Sequence, residues 1–588
     1  MTSTTAATGA VAGTAEQGIE KGARGIVAGV KEALSPTGFV ARVDPVGFGP
    51  AVAGAARALV THPRATARTG LGWGLDAGRA GVVSALRAVG GTATGPAVVA
   101  DRDPRYQDPA WEENAWYWLC RQEHALFADR IVELAGNLEL EPTTRRKIDF
   151  LVGQLVEAAA PRNWPATNPA LVQRAFETGG KSVVRGLRNA LRDAVQNGGM
   201  PRQLTPGEFE VGRDLAATPG KVVFRNRLIE LIQYAPQTPK VREIPLLMSP
   251  PWINKFYIMD LAPERSLVEW AVRHGHTVFM ISYRDPDSSL RDLTMSDYLR
   301  EGPVAALDAV QRITAAPKVN VAGLCLGGAI ATSMLAWFAA RGEERVNSLT
   351  LMNTLLDYTK PGMLGVFVDE PTVDRLERAM RKDGYLPAAS MKRTFDLLRA
   401  TDLVWNYVGN NWHEGKDPVP FDMLTWNSDS TRMPAEMHTE YLRTHYLRNE
   451  LAEGKLELAG ERLDLGDITQ DAYVITAERD HIAPWDSVYR GARRLGGNVR
   501  FVLSNSGHIA GVVNPPSPKS RHWYSETAEL PASSQDWRDD AAECRASWWE
   551  DWAPWVTERA GGLRTPPDFG CAELPVLGDA PGEYVRRS

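Results

Sequence analysis

The stretch Lys318-Val319-Asn320-Val321-Ala322-Gly323-Leu324-Cys325-Leu326-Gly327-Gly328 decides the fold. Its first five residues read as a short buried strand. The run that follows, Ala329-Ile330-Ala331-Thr332-Ser333-Met334-Leu335-Ala336-Trp337, reads as a buried helix. Between them the glycines on both sides of Cys325 let the backbone turn sharply. Strand, sharp turn and helix is the context that lifts a nucleophile out of the carboxyl edge of a sheet. A helix amino terminus behind the sulfur favours an anion there, and the Leu326 N–H is placed to bind an oxyanion. The G-x-C-x-G string is a weak signal by itself; its strand and helix make it informative.

A nucleophile at such a turn calls for an acid and then a histidine, in that chain order, on later strand ends. Asp471-Ala472-Tyr473-Val474-Ile475-Thr476-Ala477-Glu478-Arg479-Asp480 is a strand running into a turn that ends in a carboxylate. A helical stretch from Asp486 to Leu495 follows. The strand Asn498-Val499-Arg500-Phe501-Val502-Leu503 then leads into the loop Ser504-Asn505-Ser506-Gly507-His508. Type, order and strand-end placement agree for Cys325, Asp480 and His508, and they predict an α/β-hydrolase fold. Other histidines fit less well. His481 follows Asp480 directly and reads as site-shaping or structural. His274 and His276 precede the strand Thr277–Ser282, at the wrong end for chemistry. His445, among Tyr441, Arg443 and Tyr446, reads as a cleft-lining residue in the wrong part of the fold for the base.

The hydrolase core is expected to begin near Val241. The strand Ile244–Met248 feeds the loop Ser249-Pro250-Pro251-Trp252-Ile253-Asn254-Lys255, where this fold class carries its second oxyanion donor, here the Ile253 N–H. Strands and helices alternate through the strand Ser348–Met352, which indicates a mainly parallel sheet. From about 361 to 465 the alternation breaks, and aromatic residues such as Trp405, Trp412, Trp426, Tyr441 and Tyr446 gather. An insertion between nucleophile and acid reads as a cap over the pocket. Near the end of the chain, Trp548, Trp552 and Trp555 fall on one helical face and predict core packing.

Three further parts follow from composition. Residues 1–100 are rich in Ala and Gly, and read either as a loosely ordered tail or as an amphipathic contact, with Ile19, Ile26, Val27, Val30 and Leu34 on one face of Gly18–Leu34. Residues 101–240 read as mainly helical, and 241–588 as the catalytic domain. The 588 residues carry a net charge of −6 with both signs interspersed, which argues against nucleic acid as the main partner. The four cysteines are too scattered for a disulfide framework or a zinc site, and no metal or cofactor is expected. Met1–Thr14 has no basic start and no apolar core of a secretory signal. Val319–Ala340 is uncharged for about the length of a bilayer span, but Asn320 and the glycine turn make it a strand plus a helix. A chain without a transmembrane segment, in a reducing cytoplasm, is the expectation.

Four strings in order, Pro250-Pro251-Trp252-Ile253-Asn254-Lys255, Gly323-Leu324-Cys325-Leu326-Gly327-Gly328, Asp480-His481-Ile482-Ala483-Pro484-Trp485 and Gly507-His508-Ile509-Ala510-Gly511-Val512-Val513-Asn514-Pro515-Pro516, resemble those of the poly(3-hydroxyalkanoate) synthases. The resemblance runs from about Asp101 to the end. The single long chain, with Ala510 after the histidine, is most similar to the short-chain (class I) members. It implies polymerisation of (R)-3-hydroxyacyl-CoA into a polyester with release of CoA, through an acyl-thioester on Cys325. It further implies a homodimer working at the surface of cytoplasmic polyester granules, in contact with the growing chain and with granule-associated proteins.

Cysteine suits this task because thiolate attack on acyl-CoA exchanges one thioester for another of similar energy. His508 would take the thiol proton, and the N–H groups of Leu326 and Ile253 would hold the tetrahedral oxyanion. In the family the aspartate, here Asp480, is assigned to the substrate 3-hydroxyl, directly or through the histidine. The triad alone also admits a Cys-dependent thioesterase or ester hydrolase, or a non-catalytic granule protein on the same fold. The insertion, the helical N-terminal region and the further strings weigh against these.

Overall fold

The computed structural model describes residues 48–61, 63–100, 103–205, 207–525 and 529–587; the amphipathic stretch Gly18–Leu34 lies outside them. The chain divides into two compact units, Met1–Pro161 and Arg162–Ser588.

In the first unit, helices α1 (Phe48–Thr61) and α2 (Pro63–Ala88) are followed by α3 (Ala115–Gly136) and α4 (Pro142–Ala159). The Ala-rich character of residues 48–88 is therefore helical rather than loose, as alanine's high helix propensity favours. Ala51, Ala55 and Ala58 pack into a small core with Ala135, Leu138 and Ile148. Arg130 reaches from α3 to Asp76 on α2 at 2.6 Å.

The second unit is built on an 11-stranded sheet. Its strands are β1 (Gly220–Arg225), β2 (Ile229–Tyr234), β3 (Leu246–Ser249), β4 (Val278–Tyr283), β5 (Val319–Leu324), β6 (Val346–Met352), β7 (Asp471–Ala477), β8 (Val499–Ser504), β9 (His522–Tyr524), β10 (Ala542–Cys544) and β11 (Gly578–Asp579). They lie in the order β10-β9-β8-β7-β6-β5-β3-β4-β2-β1-β11. The run from β4 to β8 is parallel, and antiparallel strands flank it on both edges. This is the α/β-hydrolase arrangement preceded by helices, as the sequence predicts. The apolar run after the turn forms α9, and the stretch that reads as uncharged through Ala340 is the strand β5 plus this 15-residue helix (Leu326–Ala340). No described helix is long and apolar enough to cross a membrane.

Strands β1 and β2 precede Val241, where the reading by periodicity starts the core. Strand β2 is buried throughout, yet it carries Glu230 and Gln233. Gln233 bonds the backbone of Asp568 and Gly570, and Glu230 accepts from the N–H groups of Glu583 and Tyr584. Apart from Arg225, which pairs with Glu230, the partners of these polar groups lie more than 300 positions away, so the local pattern lacks the apolar run of a buried strand.

Helices α5 (Pro169–Glu177) and α6 (Lys181–Gln196) precede the sheet, and α7 (Leu267–Arg273) and α8 (Ala305–Thr314) lie between its strands before α9. Between β6 and β7 comes a mostly helical insertion: α10 (Glu370–Asp383), α11 (Ala388–Leu398), α12 (Asp422–Ser428) and α13 (Ala435–Tyr441), with wide π-type turns at Thr401–Trp405, Val408–His413 and Leu442–Leu447. The first of these starts on Asp369, whose carboxylate accepts from Thr372 N, and stops at Gly384 with φ +85°. Helix α6 holds the Val408–His413 turn. Asn189 donates to the Asn411 carbonyl at 3.1 Å, and the Trp412 indole donates to the buried Asp193 at 2.9 Å. Contact is so close that a Cβ on Gly186 would stand 2.0 Å from the Trp412 carbonyl oxygen. Near the end of the chain comes α15 (Trp548–Glu558), after α14 (Trp485–Ala492) between β7 and β8. Trp548, Trp549 and Trp552 are buried in the core.

Candidate active site

Cys325 stands at the turn between β5 and α9 with φ +52° and ψ −118°, a strained conformation for a residue with a side chain. Surrounding contacts enforce it. The Cys325 N–H donates to the Met352 carbonyl on neighbouring β6 at 2.8 Å, while the Cys325 carbonyl accepts from Gly328 and Ala329. Gly323 and Gly328 pass so closely that a Cβ on Gly323 would lie 2.4 Å from the Gly328 Cα. As the first helical residue, Leu326 has no acceptor for its N–H within the helix.

The loop after β3 lies beside this turn. β3 pairs with β5 with Ser249 opposite Gly323, and a Cβ on Gly327 would meet the Ser249 carbonyl oxygen at 2.1 Å. Segment 426–431 of the insertion fixes the loop from outside. Thr431 N–H donates to the Ile253 carbonyl at 3.1 Å, Thr431 Oγ1 donates to the Trp252 carbonyl, and the Trp426 indole donates to the Lys255 carbonyl at 2.8 Å.

Asp480 and His508 occupy the loops after adjacent β7 and β8. Two backbone bonds join these loops, Glu478 N–H to Ser504 O and Arg479 N–H to Ser506 O, both 2.9 Å. Asp480 Oδ1 accepts from the N–H groups of Ile482 and Ala483 at 2.9 and 2.8 Å, which aims Oδ2 at His508 Nδ1, 2.6 Å away. With Nδ1 engaged by Asp480, Nε2 is left for the thiol, and Cys325 lies close enough to His508 to act on the charge of its ring. Burial by itself would lower the imidazole pKa. The Asp480 charge and hydrogen bond, with the contact to Cys325, overcome it and push His508 up to about 10. The histidine loop is held from behind: the indoles of Trp548 and Trp549 both donate to the Val512 carbonyl, at 3.0 and 2.9 Å, and Asn353 Nδ2 donates to the His508 carbonyl.

Asn353 and Tyr358 escape a reading by motif, while Tyr441 and Tyr446 belong to the aromatic-rich insertion read as a cap. Tyr358, Tyr441 and Tyr446 lie close enough to Cys325 for its charge to act on their hydroxyls. Tyr358 and Tyr441 share a hydroxyl–hydroxyl bond of 3.0 Å, and Tyr446 packs on both rings. His445, which the sequence offers as a cleft-lining residue and not as the base, packs against Tyr358 and Tyr441 with ring centroids 5.5 and 4.9 Å apart. Its burial pulls its pKa down to about 4, so it is a neutral wall residue near neutral pH. Burial does the same to His481. His276 is remote, with its Nε2 3.3 Å from Thr557 Oγ1. A half-buried thiol beside a buried imidazole–carboxylate pair, with a free N–H next to the sulfur and an aromatic wall, suits acyl transfer through a thioester.

Two family models match the chain. One, described as the N-terminus of poly-beta-hydroxybutyrate polymerase (PhaC), matches residues 102–271, and one described as the alpha/beta hydrolase fold matches residues 249–515. The chain is 42% identical over 502 residues to the poly(3-hydroxyalkanoate) polymerase subunit PhaC of Cupriavidus necator, covering 84% of each chain. It is also 42% identical over 510 residues to the poly(3-hydroxyalkanoate) polymerase of Methylorubrum extorquens, covering 86% of this chain and 84% of that one. The poly(3-hydroxyalkanoate) polymerase subunit PhaC of Rhizobium meliloti is 41% identical over 503 residues, covering 85% and 82%.

Proposed function

Because the chain belongs to the poly(3-hydroxyalkanoate) polymerase family, we propose that it polymerises (R)-3-hydroxyacyl-CoA, with short acyl groups such as 3-hydroxybutyryl preferred, through a covalent acyl-thioester on Cys325. The enzyme is an acyltransferase. The residue roles are supported by the 2.6 Å bond between His508 Nδ1 and Asp480 Oδ2, with Cys325 close enough to act on the charge of the ring.

In the loading step, the Cys325 proton passes to His508 and the sulfur attacks the thioester carbonyl. The Leu326 and Ile253 N–H groups hold the oxyanion, an effect of roughly 3 kcal/mol per donor in sites of this kind. The new carbon–sulfur bond persists, the bond to CoA breaks, and the CoA sulfur takes the proton from His508. In the elongation step, the 3-hydroxyl of another acyl group gives its proton to His508 and its oxygen attacks the Cys325 thioester. An ester forms, and Cys325 leaves as the sulfur anion beside the imidazolium. Asp480 serves both steps by orienting the ring and stabilising its charge. The tyrosines around the sulfur limit entry of water, which would otherwise release a free hydroxy acid.

We further infer that the enzyme works as a homodimer in the cytoplasm, on the surface of the polyester granule with its associated proteins. For the surface contact, helix α6 offers an apolar face: Val184, Leu187, Leu191 and Val195 are exposed along it, beside Lys181, Arg185 and Arg188. The deciding experiment supplies purified protein with (R)-3-hydroxybutyryl-CoA and follows both CoA and product, with Cys325→Ala alongside. Thiol-dependent CoA release with insoluble polyester is the expected result. Release with only free 3-hydroxybutyrate would make the protein a thioesterase.

A further inference from the structure

Lys255 ends the loop that carries Ile253, and its side chain is only 3% exposed. A buried ammonium is unfavourable unless its protons find acceptors. Here it donates to the Arg587 carbonyl at 2.6 Å and reaches the Tyr584 carbonyl at 3.5 Å. Burial pulls its pKa down, while Asp429 and Asp285 oppose that pull and Arg432 adds to it. Segment 583–587 is itself fixed. Glu230 accepts from the N–H groups of Glu583 and Tyr584, both at 2.9 Å, and the Tyr584 hydroxyl donates to the Asn226 carbonyl at 2.7 Å. The loop is thus held at both ends: Thr431 and Trp426 of the insertion bind its backbone, and Lys255 plugs it into a strap that is anchored on β2.

We propose that Lys255 is a positioning residue for acyl transfer, which sets the Ile253 N–H for the oxyanion by pinning the loop to segment 584–587. This rests on the acyl-transfer reading of the site. A methylene chain would fill the same space as lysine, so packing alone gives no use for the charge. An ammonium with fixed carbonyl acceptors adds direction. It holds the loop two residues beyond the donor, where a shift of under 1 Å would spoil an oxyanion bond.

The test separates chemistry that builds an oxyanion from chemistry that does not. Acylation by (R)-3-hydroxybutyryl-CoA builds one; alkylation of Cys325 by iodoacetamide needs only the sulfur and His508. Lys255→Met is expected to lower kcat at least tenfold, with KM and the alkylation rate changed less than twofold, and Lys255→Arg to restore part of the loss. Unchanged turnover overturns the proposal, and so does a parallel loss of turnover and alkylation, which would mean general damage to the site. Should Lys255→Met not fold, Glu230→Gln loosens the strap from its other end. There the same split is expected at smaller amplitude, and its absence overturns the proposal. Wild-type protein that alkylates normally but never turns over acyl-CoA would instead overturn the acyl-transfer reading, and this inference with it.

Discussion

His508 Nδ1 lies 2.6 Å from Asp480 Oδ2, in a pair whose side chains are 7% and 0% exposed. Such a contact, shielded from solvent, holds its charge interaction far better than a surface pair.

Replacing Asp480 by Asn keeps the shape and removes the charge. Burial then lowers the His508 pKa with little to oppose it, so the ring holds the thiol proton poorly. Asp480→Asn is expected to slow both polymerisation and iodoacetamide alkylation of Cys325 by at least about a hundredfold at neutral pH. Alkylation rates between pH 5 and 10 measure the change.

The same pair links stability to pH. In the unfolded chain His508 titrates near its ordinary 6.5, and in the folded protein it is pushed up to about 10. Its stabilising contribution is complete below about pH 6.5, and it declines as pH rises towards 10, because the folded state keeps a proton the unfolded state gives up. Denaturant titrations across this range should show the decline in the wild type and a flatter line in His508→Gln.

At the turn, a Cβ on Gly328 would stand 2.0 Å from Thr354 Oγ1. Gly328→Ala is expected to destabilise by about 1–3 kcal/mol and to abolish turnover by displacing Cys325. Adding Thr354→Ala should return part of the stability, since the two sites share one clash. Gly323→Ala offers no such relief, as the atom it meets is the Gly328 Cα. Melting temperatures of the three variants are the measurement.

Tyr441→Phe removes the 3.0 Å bond to Tyr358 and should cost about 1 kcal/mol with polymer still formed. Tyr441→Ala opens the wall beside the sulfur, and a larger share of 3-hydroxybutyrate released as free acid is expected. The ratio of free acid to polyester reads the difference.

Cys325, Asp480 and His508 are legible as positions because each follows a mainly apolar strand with a single polar interruption, Asn320 in Val319–Leu324, Thr476 in Ala472–Ala477 and Arg500 in Val499–Leu503. Strand β2 escapes that test because Glu230 and Gln233 both interrupt it, and all their partners but Arg225 lie beyond 560. Tyr441 and Tyr446 are legible as part of an aromatic-rich insertion, but their meeting with Tyr358 is not, since it comes only with tertiary folding and the π-type turn at Leu442–Leu447 breaks the helical period. Lys255 is visible within a motif string, but the carbonyls it serves lie more than 300 residues away.

The grip of α6 on Trp412 bears on how this protein can be recombined. Asn189, Asp193 and Gly186 match the backbone and indole of the Val408–His413 turn atom by atom. A chimera joined near residue 240 would take one parent's α6 and another parent's insertion, and would mismatch a junction that no linear map marks. Parental blocks that exchange 181–205 together with 388–418 keep that fit, so the two segments are one inheritable piece, although some two hundred residues separate them.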